Sequence, residues 1–176
     1  MKNKYEWLFE NGEFVMNKIN TFLLSVDDAD KTFLSLQNDE LYLYIPDVKY
    51  KDIQVLKDRY QFLIDGSKSE NEVWLNWIIY HDLEKKEPIG TLQATIFKDE
   101  QKAYIGYVIY RKFWNQGYGT LALNWLENCL EENEDVKILE AYVDYRNIFS
   151  KKILEKLGFE KIHEENNNYV YQKRIK

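Results

Sequence analysis

The residues best spaced for chemistry run from Tyr107 to Thr120, Tyr107-Val-Ile-Tyr-Arg-Lys-Phe-Trp-Asn-Gln-Gly-Tyr-Gly-Thr120. There an apolar, β-branched run gives way to two glycines one residue apart and then to a helical stripe. A helix opening at that point leaves its first backbone N–H groups without partners inside the helix, and the helix dipole adds partial positive charge beside them. Gly117 and Gly119 let the backbone come close to a bulky ligand. The segment reads as a phosphate cradle or, more simply, as a tight turn that needed small residues. Two nucleotide readings fall away. The run has no Gly-Lys-Ser/Thr ending, so no lysine would reach a β- or γ-phosphate. It also lacks the third glycine of a dinucleotide fingerprint and does not open a βαβ unit. A different diphosphate ligand is needed.

The elements that must position this segment follow from periodicity. Ile19–Val26 reads as a strand, and the acidic cluster Asp27-Asp28-Ala29-Asp30 suits a helix start, predicting a helix over Asp28–Leu36. Pro46 is expected to break any short helix over Leu41–Ile45. Ile53, Leu56, Tyr60, Leu63 and Ile64 fall on one helical face, ending at Gly66 with a left-handed cap. The period then changes. Val73–Tyr80 and Ile89–Phe97 read as a hairpin and Ala103–Tyr110 as a third strand. Tyr118, Leu121, Ala122, Trp125, Leu126 and Cys129 make a helical stripe, Lys137–Val143 a strand, and Phe149, Ile153 and Leu157 a short helix stopping at Gly158. Phe159–Glu164 and Tyr169–Lys173 close the chain as a hairpin around Asn166-Asn167-Asn168. This order predicts an α+β (or α/β layered) domain with a mixed sheet.

Composition bounds the possibilities. The 176 residues fit one domain, 1–176, in which residues 1–16 form an extension of uncertain structure. A formal net charge of −6 and the lack of a basic cluster argue against nucleic acid as a partner. No stretch suits a signal peptide or a membrane span, and Cys129 is the only cysteine, so a cytoplasmic protein without disulfides or a multi-cysteine metal site is expected. Monomer and homodimer are both open.

At this point the sequence resembles a family. Trp114-Asn-Gln-Gly-Tyr-Gly-Thr120 is similar to the acetyl-CoA pyrophosphate loop of the GNAT N-acetyltransferase superfamily, whose pattern is Gln/Arg-x-x-Gly-x-Gly/Ala. Pro88-Ile-Gly90 resembles the opening of that family's third strand, and Ile105-Gly-Tyr-Val108 its fourth. Asn147-Ile-Phe-Ser150 with the exit Glu155-Lys-Leu-Gly-Phe159 resembles its Asn-x-x-Ser…Glu-Lys-x-Gly-Phe helix. Two departures stand out. Trp114 takes the Gln/Arg position, as in the branch that acetylates ribosomal-protein N-termini, and Leu154 sits where many members carry a tyrosine that protonates the departing thiolate.

The resemblance implies a mostly antiparallel mixed sheet flanked by helices, and acetyl transfer from acetyl-CoA, as co-substrate, to a primary amine. The acceptor would be a protein N-terminus or a small cationic amine. Trp114, Asn115, Gln116, Gly117, Tyr118, Gly119 and Thr120 would form the cofactor-binding loop, with backbone N–H groups from Gln116 to Thr120 holding the pyrophosphate. The backbone of Val108 and Ile109 would pair with the pantetheine arm, and Asn147 would bond its amide chain. Ser150 is the candidate proton donor in place of Leu154, and Glu140 the candidate base through water, with Tyr142 and Asp144 as comparable choices. His81 and His163 read as surface or packing residues, Cys129 as core, and Tyr42, Tyr44 and Tyr50 as core or lid packing before pocket lining. The alternative is an acyl-CoA-binding sensor or interaction module of the same fold that does not turn over. With no His/Cys cluster, activity is expected to survive dialysis against EDTA in full; a preparation revived only by added zinc or magnesium would contradict this.

Overall fold

The computed structural model describes residues 19–45, 47–133 and 135–176; the N-terminal extension and Pro46, the expected helix breaker, lie outside them. The chain runs β1 (Asn20–Leu23), α1 (Asp28–Thr32), α2 (Ile53–Asp65), β2 (Glu72–Tyr80), β3 (Pro88–Phe97), β4 (Lys102–Ile109), α3 (Tyr118–Glu131), β5 (Ile138–Asp144), α4 (Ile148–Lys156), β6 (Glu160–Glu165) and β7 (Asn168–Arg174). The strands form one sheet in the order β1-β2-β3-β4-β5-β7-β6. Every neighbouring pair is antiparallel except β4 and β5, which run parallel. The mostly antiparallel α+β architecture anticipated from the sequence is the one observed.

The parallel pair is also the shortest ladder. Lys102, Ala103 and Tyr104 pair with Ile138, Leu139 and Glu140, and there the pairing stops. β4 continues to Ile109 against β3, and β5 continues to Asp144 against β7. Each strand is held by its outer neighbour alone, so the sheet forks.

Side chains alternate across the sheet. On one face Ala103, Ile105 and Ile109 join Leu139, Ala141 and Val143 in the main core, together with Ala122, Leu123, Leu126 and Leu130 of α3 and Leu154 of α4. Trp77 of β2 meets Trp125 of α3 edge to face at 5.5 Å. The other face is covered only at the β1–β2 end, where Phe62 of α2 lies 5.2 Å from Trp74 and Leu56 and Tyr60 close on Ala29 of α1. That leaves Gly106, Gln93 and Tyr142 on a face without a helical cover.

Several local expectations shift for physical reasons. α1 ends at Thr32, short of Leu36, and two 3₁₀ turns, Ser35–Gln37 and Asp39–Leu43, follow it. The carboxylate of Asp28 does not cap its own helix; it accepts from the Ser25 N–H and hydroxyl, each at 2.8 Å, and from the Tyr80 hydroxyl at 2.5 Å. Asn38 is extended and caps the second 3₁₀ turn through Glu40 N–H at 2.9 Å, which breaks the helical run. Gly66 has the positive φ expected of it, 73°, but with ψ −168° it leaves α2 in an extended sense and is not a left-handed cap. Asn166 and Asn167, with φ 47° and 65°, form the tight turn joining β6 and β7.

Gly90 is required sterically. A Cβ there would stand 2.0 Å from the carbonyl oxygen of Val108 on β4. Gly90→Ala is therefore expected to push β3 away from β4 beside the fork and to destabilise the protein by roughly 1–3 kcal/mol, a fall of several degrees in Tm for a chain of this length. Thermal unfolding measures it, and an unchanged Tm would show that the backbone yields there at no cost.

Candidate active site

A cleft of ≈ 690 Å³ runs through the fork, lined on one side by Ile105 to Val108 of β4 and on the other by Ala141 to Asp144 of β5. It reaches both faces of the sheet. Asn147, Ser150 and Leu154 of α4 border it on the face that carries α3, and Tyr42, Tyr44 and Tyr50 border it on the opposite face. The three tyrosines thus line the cleft, where the sequence suggested core or lid packing. Arg146 fastens that wall: it holds Asp144 at 2.7 and 2.9 Å, donates to the Leu43 carbonyl at 3.2 Å, and lies 5.9 Å from the Tyr44 ring.

The backbone of β4 supplies an edge to the cleft. Tyr110 N–H donates to Ile89 O at 2.8 Å, so by antiparallel alternation the Val108–Thr91 pair is the next hydrogen-bonded one. Val108 is therefore turned toward β3, whereas the backbone groups of Ile109 and Tyr107 face the open side. The Ile109 carbonyl already accepts from Trp114 Nε1 at 2.6 Å. That bond, with Arg111 stacked 4.8 Å from the indole, folds the 110–117 loop back against the end of β4.

α3 opens at the same end of the cleft. Its N-cap, Gly117, is left-handed at φ 84° and ψ −1° and makes no side-chain cap. A Cβ on Gly117 would meet nothing within 4 Å. The first amide committed within α3 is that of Leu121, to Gly117 O at 3.2 Å, so the N–H groups of Tyr118, Gly119 and Thr120 are left for an anion. The two glycines divide their duties. Gly117 supplies the turn, while Gly119 is buried, with a Cβ there falling 2.9 Å from Ile153 Cδ1 and 3.2 Å from the Tyr107 ring. Its smallness serves the packing of α3 on α4 and β4, and the sequence had suggested ligand approach for both. Gln116 turns its side-chain amide to the Lys112 carbonyl at 2.9 Å.

At the start of α4, the side-chain oxygen of Asn147 accepts from Ser150 N–H at 3.1 Å. Asn147 is thus the N-cap that fixes where Ser150 stands. The hydroxyl of Ser150 accepts from the Tyr107 hydroxyl at 3.2 Å, a contact between residues 43 apart that sequence periodicity did not expose.

Glu140 sits in the crotch of the fork and is 3% exposed. It does not line the cleft. Burial alone would raise its pKa, but Gln172, Lys102 and Tyr142 together hold it below the ordinary carboxylate value. Lys102 stands 3.3 Å away, Tyr142 donates at 3.1 Å, and the Gln172 amide donates as well. A carboxylate so engaged is a poor proton acceptor; what it does is tie β4, β5 and β7 together where pairing ends. Tyr142 is held high by burial and by its bonds to Tyr104 and Glu140, and Asp144 is held low chiefly by its bond to Arg146. His81 is exposed, 3.3 Å from the Tyr118 hydroxyl, and His163 is exposed beside Glu165. Cys129 packs against the core, and burial pushes its thiol up to about 12. Among the described residues no cluster of His, Cys, Asp and Glu could hold a metal ion, and no helix is long and apolar enough to cross a membrane.

Comparison with known proteins agrees with this geometry. Residues 22–160 match the family model described as acetyltransferase (GNAT) domain. An uncharacterized N-acetyltransferase, p20, of Bacillus licheniformis is 26% identical over 139 residues, 78% of this chain and 76% of that protein. Among solved structures, the ribosomal L7/L12 α-N-protein acetyltransferase RimL in complex with coenzyme A superposes with a TM-score of 0.77 at 16% identity, covering 91% of this chain and 96% of that one. The ribosomal-protein-S5-alanine acetyltransferase of Vibrio fischeri does so with a TM-score of 0.76 at 19% identity, covering 92% and 95%.

The position of Glu140 makes a stability prediction with a definite sign. Its pKa is lowered on folding, so its contribution is present above the unfolded value and is lost as pH falls through the folded one. Glu140→Gln is expected to cost on the order of 1–3 kcal/mol at neutral pH, the range for a hydrogen-bonded charge. The Tm gap to wild type should narrow as the solution is acidified past the carboxylate range. An unchanged Tm with a collapsed turnover number would make Glu140 a base instead of a tie.

Proposed function

The chain belongs to the GNAT acetyltransferase family and is an acyltransferase, and on that premise we propose that it moves an acetyl group from acetyl-CoA to a primary amine by direct attack on the thioester. The observation that carries this reading is the fork itself: an open strand edge on β4 lies beside a helix N-terminus whose first amides have no partner. An extended amide arm suits the first, and a pyrophosphate suits the second.

In this reading Tyr118, Gly119 and Thr120 hold the pyrophosphate through their N–H groups. Tyr107 and Ile109 present the strand edge to the pantetheine arm, displacing Val108 from the role suggested by the sequence. The Ile109 N–H, turned into the cleft, donates to the carbonyl oxygen on which negative charge grows. Asn147 offers its amide NH₂ to the cofactor chain while its oxygen caps α4. Trp114, Asn115 and Gln116 shape the loop; Asn115 does so with a left-handed φ of 60°. The acceptor enters from the face bordered by Tyr42, Tyr44 and Tyr50, where hydroxyl and ring faces suit a protonated or neutral amine. Asp144 and Tyr142 are held away from neutral pKa values, so the amine arrives neutral or passes its proton to water. Positioning and backbone electrostatics then carry most of the rate. Protein N-termini and small cationic amines are the acceptor classes.

One observation keeps a second reading in view. Leu154, at the position of the superfamily's tyrosine, is apolar and 1% exposed, which suits a chain that binds acyl-CoA without turnover.

Thiol release from acetyl-CoA, read with DTNB against peptides with free N-termini and against spermine, separates the two. Release that requires the amine is expected; saturable CoA binding without release would establish the sensor. Thr120→Glu places a carboxylate among the free amides of the first turn, which the helix dipole favours. It should keep or raise Tm while weakening acetyl-CoA binding by about 10-fold or more, near the upper end of what a charge at a helix end contributes. Unaltered CoA affinity in that variant would remove the pyrophosphate from this helix.

A further inference from the structure

Tyr107 is the one side chain of β4 that reaches α4 with a polar atom inside the cleft. Its ring lies against Gly119, where a Cβ would come within 3.2 Å, and its hydroxyl donates to Ser150 Oγ at 3.2 Å. Ser150 is itself fixed from behind, since its N–H is bound to Asn147. The serine oxygen is thus approached by a donor on the protein side. A hydroxyl that accepts one hydrogen bond must turn its own hydrogen elsewhere. With Tyr107 on one side and the α4 backbone on the other, the open direction is the cleft, which both residues line.

We infer that Tyr107 is a positioning residue for acetyl transfer: its hydroxyl fixes the rotor of Ser150 so that the serine O–H points into the fork and donates to the departing thiolate. This inference rests on the acetyltransferase reading above. Magnitudes decide the form of the step. A free thiol has a pKa near ~8.5 and a phenol ~10, and burial raises the Tyr107 phenol further. Proton transfer from phenol to thiolate is uphill, and from an aliphatic alcohol still more so. The pair therefore donates hydrogen bonds and keeps its protons. The amine nitrogen forms its bond to the carbonyl carbon, the C–S bond breaks with its electron pair going to sulfur, and the proton lost from nitrogen passes through water to the thiolate. Ser150 and Tyr107 begin and end neutral. The sequence assigned Ser150 the part of proton donor; the geometry gives it a charge-stabilising bond, set by a residue on another element.

The test is a double-mutant cycle with Tyr107→Phe and Ser150→Ala, followed by thiol release with a free-N-terminal peptide or spermine, single-turnover rates, CoA binding by calorimetry and thermal unfolding. Tyr107→Phe keeps the ring against Gly119. It is expected to lower the single-turnover rate about 3- to 10-fold, the size of one neutral hydrogen bond, with KM and CoA affinity unchanged and Tm lower by no more than the few degrees that one lost hydrogen bond costs. Ser150→Ala should lower the rate by about 10-fold or more, the size of a hydrogen bond to a charged group. In the Ser150→Ala background Tyr107→Phe should cost nothing further. Losses that multiply, a wild-type rate in Tyr107→Phe, or a fall in CoA affinity that accompanies the fall in rate would each overturn the inference and leave the acetyltransferase reading standing. A wild-type protein that binds CoA but releases no thiol with either amine would overturn both.

Discussion

The parallel pairing of β4 with β5 ends at Tyr104 and Glu140, and the site depends on that ending. Two strands that separate expose an unpaired ladder edge in the middle of a sheet, where water or a ligand must satisfy it. The separation persists because each strand has a full antiparallel partner on its other side, β3 for β4 and β7 for β5. Glu140 keeps the fork from running further back. Its buried carboxylate draws Lys102 from β4 and Gln172 from β7 to one point on β5. A buried charge is costly unless fully partnered, so the three strands share one electrostatic knot at the place where backbone bonding stops.

Once the fork exists, most of what the proposed acetyl transfer needs is backbone. The phase of the β3–β4 ladder turns the Ile109 N–H away from β3, to the open side, and Trp114 takes the Ile109 carbonyl. That bond draws the loop so that α3 begins beside the open edge. Gly117 then starts the helix without a side-chain cap. An ordinary Ser or Asp cap would stabilise α3 by ~1 kcal/mol but would occupy the amides that an anion needs. The sequence declines that stability.

Much of this was legible in the sequence where the signal is local. Seven strands and the helices over Ile53–Asp65, Tyr118–Glu131 and Ile148–Lys156 follow from periodicity, with ends displaced by a residue or a few. The Gly-x-Gly loop pointed to a helix end free to bind an anion. What was hidden is long-range. Asp28 looked like a helix cap, but its carboxylate is claimed by Ser25 and by Tyr80, 52 residues away. Glu140 read as the candidate base beside the splay; two of its three partners, Lys102 and Gln172, come from other strands. Tyr42 sits in a short 3₁₀ turn and Tyr44 and Tyr50 in irregular backbone, where no sustained period says which way a ring points. The choice between Val108 and Ile109 is a matter of ladder phase, which is set by the partner strand and not by either residue.

Leu154, where the resemblance would place a tyrosine, belongs to the cluster against which Tyr107 packs. Leu154 is buried in the main core, so the inner turn of α4 is spent on stability. The phenol arrives from β4 instead, across a gap that exists only because position 119 has no side chain. Gly119, Tyr107, Ile153 and Ser150 are therefore one packed unit: a larger residue at 119 would push the Tyr107 ring, and with it the hydroxyl that meets Ser150 at 3.2 Å. Neighbours that share a packing contact do not act additively. The proposed anion site at the start of α3 and the hydroxyl pair that meets at the start of α4 are thus joined through a single glycine. A substitution aimed at cofactor binding there would also disturb the chemistry, which is why Thr120, half-buried and one residue further on, is the cleaner probe of the first.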